Sequence, residues 1–386
     1  MIRRLALAMP TLSPLGGGVS EAARLHLNAL APAGFEQISV HTLDTSMERV
    51  DPKQWQAARL YLHRAYGPKS FSFAPGMLLS LLQAKPDLVH VHGVWQFHCA
   101  AVHAWSMLTG KPYVVTPHGM LEPWIRARSP GLKKAVSRLY QDRFLRNASG
   151  FHILTEKERS DVAEFLTGQP TKIIGNYAET VAADGAKPGW WKPEYVGRSI
   201  YLFLGRIHEK KGCMELMDGW DRLCQSDPTF RDRSALVFCG WNDGIAGFEA
   251  RAEQLGQSFG NVQFAGPQYG ADKHRSIAAA RYFLLPSKSE GLPMAVLEAW
   301  AAGVPAILTP ECNLAIGFER GAAFRSGFTP GTIMPALQAA DALSPTDWTL
   351  ASDRARTLVA EEFSVDSVRT GLLDLYQAAT DWKARP

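Results

Sequence analysis

The sequence lacks the features that most simply mark an exported or a metal-ribbon protein. Its cysteines are odd in number and widely spaced, and no two form a C-x-x-C pair: Cys99, Cys213, Cys224, Cys239 and Cys312. This pattern argues against a disulfide framework and against a zinc ribbon. We therefore expect the protein to work in a reducing compartment.

Long apolar runs are also missing. Nothing in the sequence approaches the ~18 uninterrupted apolar residues of a membrane-spanning helix. Two arginines precede the apolar stretch Leu5–Met9, as in a signal peptide, but Pro10 ends that stretch short of the ~7–15 residues of an h-region. We expect a first strand there and a cytoplasmic location.

Composition and charge show what remains. Apolar residues make up 46% of the 386 residues and charged residues 20%, which excludes wholesale disorder and suits two to three packed domains. The net charge of +4 is unevenly distributed, since residues 1–180 hold 20 Lys+Arg and 13 Asp+Glu, and the remainder holds 21 and 24. The two halves are therefore expected to have different partners.

Short apolar runs alternate with helical patterns along the whole chain. Short, wholly apolar strands between helices predict a parallel sheet covered on both faces, and the alternation restarts after a break. The sequence thus predicts two doubly wound α/β domains in tandem, with one site in the cleft between them. The predicted strands are Leu5–Met9, Gln37–Leu43, Leu88–Val91, Tyr113–Thr116, Gly150–Leu154, Lys172–Ile174, Ile200–Leu204, Ala235–Phe238, Val262–Phe264, Tyr282–Leu285 and Pro305–Leu308.

The break between the halves sets the predicted domain bounds. Residues 178–198 contain glycines and prolines without a clear period, which is typical of a linker. We expect a first domain at 1–180, a linker at 181–198 and a second domain at 199–363. A last helix within 364–386 is expected to pack back towards the first domain.

Each half opens with a loop suited to an anion. In the first half, Gly16, Gly17 and Gly18 follow the first strand and precede a helix, where backbone N–H groups are free to bind an anion. The loop is not a dinucleotide fingerprint, because Glu21 occupies the last glycine position of that motif. A merely tight turn is the alternative.

The corresponding loop of the second half carries cations. Arg206 and Lys211 follow the strand Ile200–Leu204 and precede the next helix, a placement that suits a diphosphate. Solvated loop charge is the alternative explanation.

The segment 287–305 is the most informative. Glu290, Gly291 and Leu292 lie in a polar loop just before a helix, whose first backbone N–H groups attract negative charge. Glu298 falls in the otherwise apolar helix that follows, and a buried carboxylate requires a partner. These features fit a polyhydroxylated ligand that bears a phosphate. The alternatives are a structural Arg or Lys partner for Glu298 and helix-dipole complementarity for Glu290.

Histidines concentrate in the first half. His90 and His92 lie on one strand face, which suggests a metal, but no carboxylate or cysteine completes a ligand set nearby, so we expect no metal site. His118, in Thr116-Pro117-His118-Gly119, ends a buried strand at the sheet edge where sites form. We expect it to belong to a site.

Residues 124–146 are basic and amphipathic. Such a helix indicates a membrane surface or another anionic partner, and an ordinary surface helix is an equal alternative. Nucleic acid is not expected, because no binding motif accompanies the charge. The docking candidates are Arg126, Arg128, Lys133, Lys134 and Arg138.

Two spaced patterns together resemble a known family. G-R-x(4)-K-G at 205–212, followed by E-G-x-P-x(4)-E-A-x-A-A-G-x-P at 290–305, resembles the retaining nucleotide-sugar glycosyltransferases of family 4, which have the two-domain GT-B fold. The glycine loop and the Thr-Pro-His-Gly strand end fit the same layout. The stretch 118–124 is similar to bacterial members that build envelope and extracellular polysaccharides. The segment 240–244, Gly-Trp-Asn-Asp-Gly, departs from the family's Gly-x-Gly.

The resemblance implies roles in the second half. Arg206 and Lys211 would hold the donor diphosphate and stabilise it as it leaves. Glu298 would bind the ribose hydroxyls. Glu290 would hold the donor sugar together with the amides of Gly291 and Leu292.

It implies further roles in the first half. Gly17 and Gly18 would approach the phosphate or the reacting sugar, and His118 would lie near the donor sugar and the β-phosphate. The donor is then a nucleoside diphosphate sugar, UDP- or GDP-linked, with no tightly bound cofactor and no metal required. The acceptor is expected to be a glycan or a lipid-linked glycan.

Physical chemistry agrees with transfer. A leaving diphosphate gains negative charge, and fixed cations aimed at that charge stabilise it most in a dry cleft. No second carboxylate at glycosidase spacing is evident. Two alternatives stay open: another GT-B sugar-nucleotide enzyme, such as an epimerase or phosphorylase, and a non-catalytic sugar-nucleotide-binding subunit.

Overall fold

The computed structural model describes residues 2–13, 18–43, 50–68, 70–123, 136–178 and 184–383. The chain forms two compact units. The first consists of Met1–Asn176 together with Val365–Pro386, and the second of Tyr177–Ser364. Within the described ranges, no helix combines the length and the apolar character needed to cross a bilayer.

The first unit is built on a sheet of seven parallel strands in the order β3-β2-β1-β4-β5-β6-β7. The central strands are buried because helices cover both faces, which explains their uninterrupted apolar sequence. The strands are β1 Arg4–Met9, β2 Gln37–Thr42, β3 Arg59–Leu62, β4 Leu88–His92, β5 Tyr113–Thr116, β6 Gly150–Ile153 and β7 Thr171–Ile173.

The second unit has a parallel sheet of six strands in the order β10-β9-β8-β11-β12-β13. The order reverses between β8 and β11, so the loops that follow these two strands flank the crevice where ligands bind in such sheets. The strands are β8 Ser199–Leu204, β9 Ser234–Cys239, β10 Val262–Gly266, β11 Tyr282–Leu285, β12 Ala306–Leu308 and β13 Ala323–Arg325.

Two strands have no counterpart among the predicted ones. β3 and β13 are the outermost strands of their sheets, and both are partly exposed. An edge strand is covered less completely, so it does not need the continuous apolar run on which the prediction relies.

Helices connect the strands in both units. α1 to α5 belong to the first unit, α6 to α13 to the second, and α14 returns to the first. The helices are α1 Gly18–Leu30, α2 Gly76–Ala84, α3 Phe97–Thr109, α4 Asp142–Arg146, α5 Glu156–Val162, α6 Cys213–Ser226, α7 Pro228–Arg233, α8 Phe248–Phe259, α9 Gly270–Ala278, α10 Met294–Ala301, α11 Ala315–Glu319, α12 Pro330–Asp341, α13 Pro345–Glu362 and α14 Val365–Lys383.

The last helix, α14, completes the first unit. The guanidinium of Arg369 donates to the carbonyl of Ala29 at the end of α1, at 2.6 Å. A Cβ added to Gly150 of β6 would lie 3.3 Å from the Cβ of Ala379, so the sheet and the helix are in close contact. The helix therefore packs against α1 and the sheet of the first unit.

The segment expected to be a linker behaves differently over its described part. Trp190 and Tyr195 are buried and belong to the core of the second unit. The indole N–H of Trp190 donates to Ser276 at 2.8 Å, and the hydroxyl of Tyr195 donates to Gln263 at 2.7 Å. Trp190 and Tyr195 thus anchor this otherwise largely exposed segment to the second unit, and the boundary between the units falls earlier, after Asn176.

Candidate active site

Two loops of the second unit meet where its strand order reverses. Gly212, after β8, has a φ of +67°, and a Cβ at this position would lie 2.4 Å from the carbonyl oxygen of Pro286, after β11. Only glycine permits this approach. The N–H of Lys288 also donates to the carbonyl of Lys210 at 2.7 Å. The two loops therefore form one surface at the carboxyl edge of the sheet.

Lys211 and Glu290 form an ion pair on this surface. Nζ of Lys211 lies 2.6 Å from Oε1 of Glu290, and the hydroxyl of Ser287 donates to the same oxygen at 2.5 Å. The side chains are 20% and 11% exposed, so the pair is largely shielded from solvent. Two of the residues assigned to the donor site by the resemblance are thus brought into direct contact.

Asn313 holds the peptide groups that follow Glu290. Its Nδ2 donates to the carbonyl of Glu290 at 2.5 Å and lies 3.4 Å from the carbonyl of Gly291. In a trans peptide the N–H points away from the preceding carbonyl. The N–H groups of Gly291 and Leu292 are thereby turned away from Asn313, and neither has a hydrogen-bond acceptor within the described ranges. Both are available to a ligand at the start of α10.

Glu298 has a cationic partner. Nζ of Lys273, in α9, lies 2.7 Å from Oε1 of Glu298, in α10. The side chains are 27% and 20% exposed. Glu298 therefore has the Arg or Lys partner that the alternative interpretation named, a lysine that sequence analysis did not single out, and its ribose role stays a prediction.

Arg206 takes no part in the Lys211–Glu290 ion pair and contacts a different carboxylate. Its guanidinium is 3.1 Å from Oδ2 of Asp243, and both side chains are about half exposed, at 49% and 44%. Exposed ion pairs contribute only about 0–1 kcal/mol. Arg206 is therefore weakly held and free to turn towards an anion. Its predicted pairing with Lys211 on a diphosphate stays a prediction.

His118 follows β5 in the first unit, in a left-handed conformation with φ +55°. Its Nε2 is 3.1 Å from Nδ1 of His92. The next residue, Gly119, donates its N–H to Glu158 at 2.7 Å, which fixes the turn. Burial, and then the nearby His152, lower the pKa of His118 to about 3. The imidazole is neutral at physiological pH, so it can share hydrogen bonds but carries no charge.

Behind His118 the first unit contains a chain of hydrogen bonds. The carbonyl of Ile174 can only accept, so His152 carries its proton on Nε2, 2.8 Å away. Its Nδ1 then accepts from Thr116 at 2.9 Å. Thr116 in turn accepts from Nε2 of His90 at 2.7 Å, which leaves Nδ1 of His90 to accept from Tyr376 of α14 at 2.7 Å. Every ring in this chain is neutral.

The histidine cluster is arranged for ring packing and hydrogen bonds. Among the described residues, no three His, Cys, Asp or Glu side chains are arranged to hold a metal ion. His90 and His92 instead pack against each other with ring centroids 4.3 Å apart. The expectation that the reaction needs no metal and no tightly bound cofactor stays a prediction.

Several predicted residues lie at or beyond the limits of the description. Gly18 is the exposed first residue of α1, where a Cβ would meet no atom within 4 Å, whereas Gly17 is outside the described residues. Of the basic segment, the structure describes 136–146, with Phe144 buried and Leu139 71% exposed. Arg126, Arg128, Lys133 and Lys134 lie outside it, and only the backbone of Arg138 is described.

Comparison with family models covers most of the chain. Residues 17–176 match the model of a glycosyl transferase 4-like domain, and residues 192–321 match the model of glycosyl transferases group 1. The chain belongs to the family 4-like glycosyltransferases with the GT-B fold. It is therefore an enzyme, and the fold expected from the sequence, two Rossmann-like domains with parallel sheets, is confirmed.

Relatives of the glycosyltransferase include two bacterial proteins. A D-inositol 3-phosphate glycosyltransferase of Actinosynnema mirum is 25% identical over 361 residues, which cover 83% of this chain and 84% of the relative. A putative teichuronic acid biosynthesis glycosyltransferase of Bacillus subtilis, TuaC, is 26% identical over 58% of this chain and 53% of its own.

Solved structures show the same fold. The sucrose-phosphate synthase of Thermosynechococcus elongatus has a TM-score of 0.70 at 18% identity, covering 97% of this chain and 98% of that one. Anabaena HepE, in complex with UDP and glucose, has a TM-score of 0.70 at 15% identity, covering 97% of this chain and all of that one. WaaG, a glycosyltransferase involved in lipopolysaccharide biosynthesis, has a TM-score of 0.64 at 18% identity, with 96% and 99% covered.

Three residues of the glycosyltransferase site were missed by sequence analysis. Ser287 lies within the segment 287–305. Its short polar side chain, three residues before Glu290, was the signal that could have identified it. Asn313 is an asparagine with a left-handed backbone, φ +57°, directly after a strand-end turn. Lys273 offers no local signal, because its partner is in another helix.

Proposed function

We propose that this glycosyltransferase moves a sugar from a UDP- or GDP-linked donor to a glycan or lipid-linked glycan acceptor, with retention of the anomeric configuration. The observation that carries the proposal is the Lys211–Glu290 pair beside the two free amides of Gly291 and Leu292. The lysine and the amides can bind the negatively charged diphosphate, and the carboxylate can accept hydrogen bonds from the sugar hydroxyls. HepE, in complex with UDP and glucose, gives a precedent for such a donor.

The second unit binds and activates the donor in this proposal. Lys211 and Arg206 neutralise the charge that grows on the leaving diphosphate, and fixed cations cost no reorganisation at the moment of reaction. Glu290 accepts hydrogen bonds from the hydroxyls of the donor sugar while Lys211 and Ser287 hold it in place. The free amides of Gly291 and Leu292 add donors at the positive end of α10.

Glu298 and His118 complete the proposed donor site. Glu298 binds the ribose hydroxyls, since a carboxylate accepts two hydroxyl protons. His118, neutral in these surroundings, shares a hydrogen bond with the donor sugar near the β-phosphate. In this proposal Gly17 and Gly18 contact the phosphate or the reacting sugar.

Retention follows from how the acceptor proton leaves. The departing phosphate oxygen takes the proton of the attacking hydroxyl on the face that it has just vacated. The bond from the anomeric carbon to the phosphate oxygen breaks as the bond to the acceptor oxygen forms. A dedicated base is then unnecessary, which agrees with the neutral His118 and with Glu290 being held by a lysine.

The acceptor belongs to bacterial envelope or extracellular polysaccharide biosynthesis in this proposal. The name of the relative TuaC and that of WaaG, a protein of similar fold, point to such glycans. The enzyme would then work in the cytoplasm at the inner face of the membrane, where its basic segment contacts anionic lipid. Five buried free thiols agree with a reducing compartment.

A donor panel with product analysis tests the proposal. Thermal shift with UDP-, GDP- and ADP-sugars identifies the donor, because a ligand at ~100 times its Kd adds ~2.7 kcal/mol to stability. Incubation of that donor with and without acceptor then separates the activities. A product formed only with acceptor, of unchanged anomeric configuration, is expected. An altered free sugar nucleotide would indicate an epimerase, phosphate-dependent cleavage a phosphorylase, and binding without turnover a non-catalytic subunit.

A further inference from the structure

Lys273 and Glu298 belong to helices that follow different strands. Lys273 lies in the first turn of α9, after β10, and Glu298 lies in the second turn of α10, after β11. Both are near the carboxyl ends of their preceding strands, on the edge of the sheet where ligands bind. The 2.7 Å bond between Nζ and Oε1 therefore joins two elements that flank the proposed nucleotide site.

The residues around Glu298 show that its side chain lies on the half-buried face of α10. Val296, Leu297, Ala299 and Trp300 of α10 are buried in the core. Glu298 lies on the remaining half-buried face, and its side chain is only 20% exposed. A carboxylate in this position loses much of its hydration and depends on a partner to hold one orientation.

The geometry of the bond leaves part of Glu298 available. Lys273 contacts Oε1, and Oε2 has no hydrogen-bond donor among the described residues. A carboxylate has about four lone-pair positions on its two oxygens. A ribose diol therefore finds acceptor capacity on a side chain that is already oriented.

We propose that Lys273 is a positioning residue that orients Glu298 to receive the ribose 2′- and 3′-hydroxyls of the donor. This inference rests on the proposed function, because it assumes a nucleoside diphosphate at this site. It makes Lys273 responsible for the preference for ribonucleotides over 2′-deoxyribonucleotides. A purely structural ion pair would stabilise the fold but would not affect that preference.

Calorimetry with paired nucleotides tests this role. UDP, GDP and ADP are each titrated, with their 2′-deoxy counterparts, into the full-length enzyme and into Lys273→Met, Lys273→Gln and Lys273→Arg. The wild type is expected to bind its preferred ribonucleotide at least about tenfold more tightly than the 2′-deoxy form, because hydrogen bonds to charged groups contribute about 1.5–3 kcal/mol.

The variants separate positioning from stability. Lys273→Met and Lys273→Gln should weaken ribonucleotide binding about tenfold and 2′-deoxy binding by a smaller factor, because the 2′-deoxy form keeps only the 3′-hydroxyl contact with Glu298. Lys273→Arg should restore most of the difference. Two neutral replacements are used so that a folding defect in one does not decide the outcome. Arg275→Gln is the matched control, since Arg275 lies in the same helix and pairs with Asp184 at 2.6 Å, and it should bind like the wild type.

The outcomes distinguish this inference from the proposed function. Unchanged discrimination in both neutral variants, or an equal loss with both sugars, would overturn the positioning role while donor binding stands. Equal binding of ribo and 2′-deoxy forms by the wild type would overturn it as well. Failure of the wild type to bind any of the nucleotides would overturn the proposed function itself, and the inference with it.

Discussion

The hydroxyl of Tyr376 donates a hydrogen bond to Nδ1 of His90 at 2.7 Å, and this bond joins the last helix of the chain to the central strand of the first sheet. Both residues are completely buried. The bond ends the series that runs through Thr116 and His152 to a backbone carbonyl. The three inner members, His90, Thr116 and His152, each donate one hydrogen bond and accept one, so none of them can change its role alone.

Removing the Tyr376 hydroxyl should destabilise the first unit. Tyr376→Phe keeps the ring but leaves Nδ1 of His90 buried without a donor, which costs about 1–3 kcal/mol. We expect a lower midpoint for the first unit in urea unfolding, with the second unit unchanged. Tyr195→Phe is the control, since its hydroxyl bonds Gln263 in the second unit. Equal effects of the two changes on the first unit would contradict the role of the chain.

The buried histidines should make the first unit sensitive to acid. Burial, above all, lowers the pKa of His118 to about 3 and of His152 to about 4, and it brings the pKa of His26, His90 and His92 well below 6.5. The unfolded chain takes up protons near pH 6.5, whereas the folded unit does not. The stabilising contribution is therefore complete above that pH and is lost as the pH falls towards the folded values.

The slope of this loss is measurable. Each histidine contributes up to about 1.4 kcal/mol per pH unit below pH 6.5. Glu158 acts in the opposite sense over part of the range, because burial raises its pKa to about 6. His26→Met should reduce the slope by about one proton, because it removes one of the histidines whose pKa burial holds well below 6.5 in the folded unit. Urea midpoints at pH 8 to 5 give the slopes, and identical slopes for variant and wild type would refute the assignment.

The diphosphate cations should control turnover. Arg206→Ala and Lys211→Ala are each expected to lower kcat by about 10²–10³, as for loss of a donor that stabilises charge in the transition state. Arg320→Ala, which removes a surface partner of Glu361, should leave kcat unchanged. Steady-state transfer assays measure this, and near-wild-type kcat in both test variants would exclude the clamp.

The two carboxylates should have separable effects. Glu290→Gln is expected to impair transfer more than nucleotide binding, because this residue is assigned to the donor sugar. Glu298→Gln should mainly weaken binding of the free nucleoside diphosphate, about tenfold for a lost charged hydrogen bond. Calorimetry with the nucleotide and transfer assays report the two effects. A Glu298→Gln enzyme with unchanged nucleotide affinity would remove the ribose role.

The basic segment should bind anionic vesicles. Cations near an anionic leaflet contribute about 1 kcal/mol each, and salt screens this attraction. We expect the enzyme to sediment with such vesicles at low salt and to be released at high salt. Reversal of Lys133, Lys134 and Arg138 to Glu should abolish sedimentation and leave donor binding intact. Reversal of three exposed cations of the second unit is the control: Lys187, Lys192 and Arg222. Sedimentation of the segment variant like the parent would identify an ordinary surface helix.

Sequence reasoning succeeded where one physical requirement dominates. Strands covered on both faces must be apolar throughout, so β4, β5, β8 and β11 were visible as short runs. It failed for the edge strands β3 and β13, which lack that requirement. It also failed over 184–198, where glycines and prolines suggested a linker although the aromatic rings of Trp190 and Tyr195 require burial.

The residues of the candidate site were predictable from the sequence, but their hydrogen-bond partners were not. Lys211 follows β8 and Glu290 follows β11. These two strands are neighbours in the sheet, so the loops after them meet although the residues are far apart in the sequence. The partners of the site residues were not predictable in this way. Lys273 and Glu298 are 2.7 Å apart only because two helices pack side by side, and Asn313 reaches Glu290 from the loop after β12. Such contacts depend on tertiary packing, which local patterns do not encode.

The return of α14 to the first unit affects how the protein is made. The first unit cannot bury the inner face of α14, including Leu375 and Tyr376, until the whole second unit has been synthesised. Synthesis at about 5–20 residues per second makes that delay on the order of ten seconds or more. During this interval the nascent first sheet exposes the surface that α14 later covers. A ribosome-bound chain is thus expected to depend on chaperones. A chain truncated before residue 365 is expected to fold its second unit and to aggregate through its first.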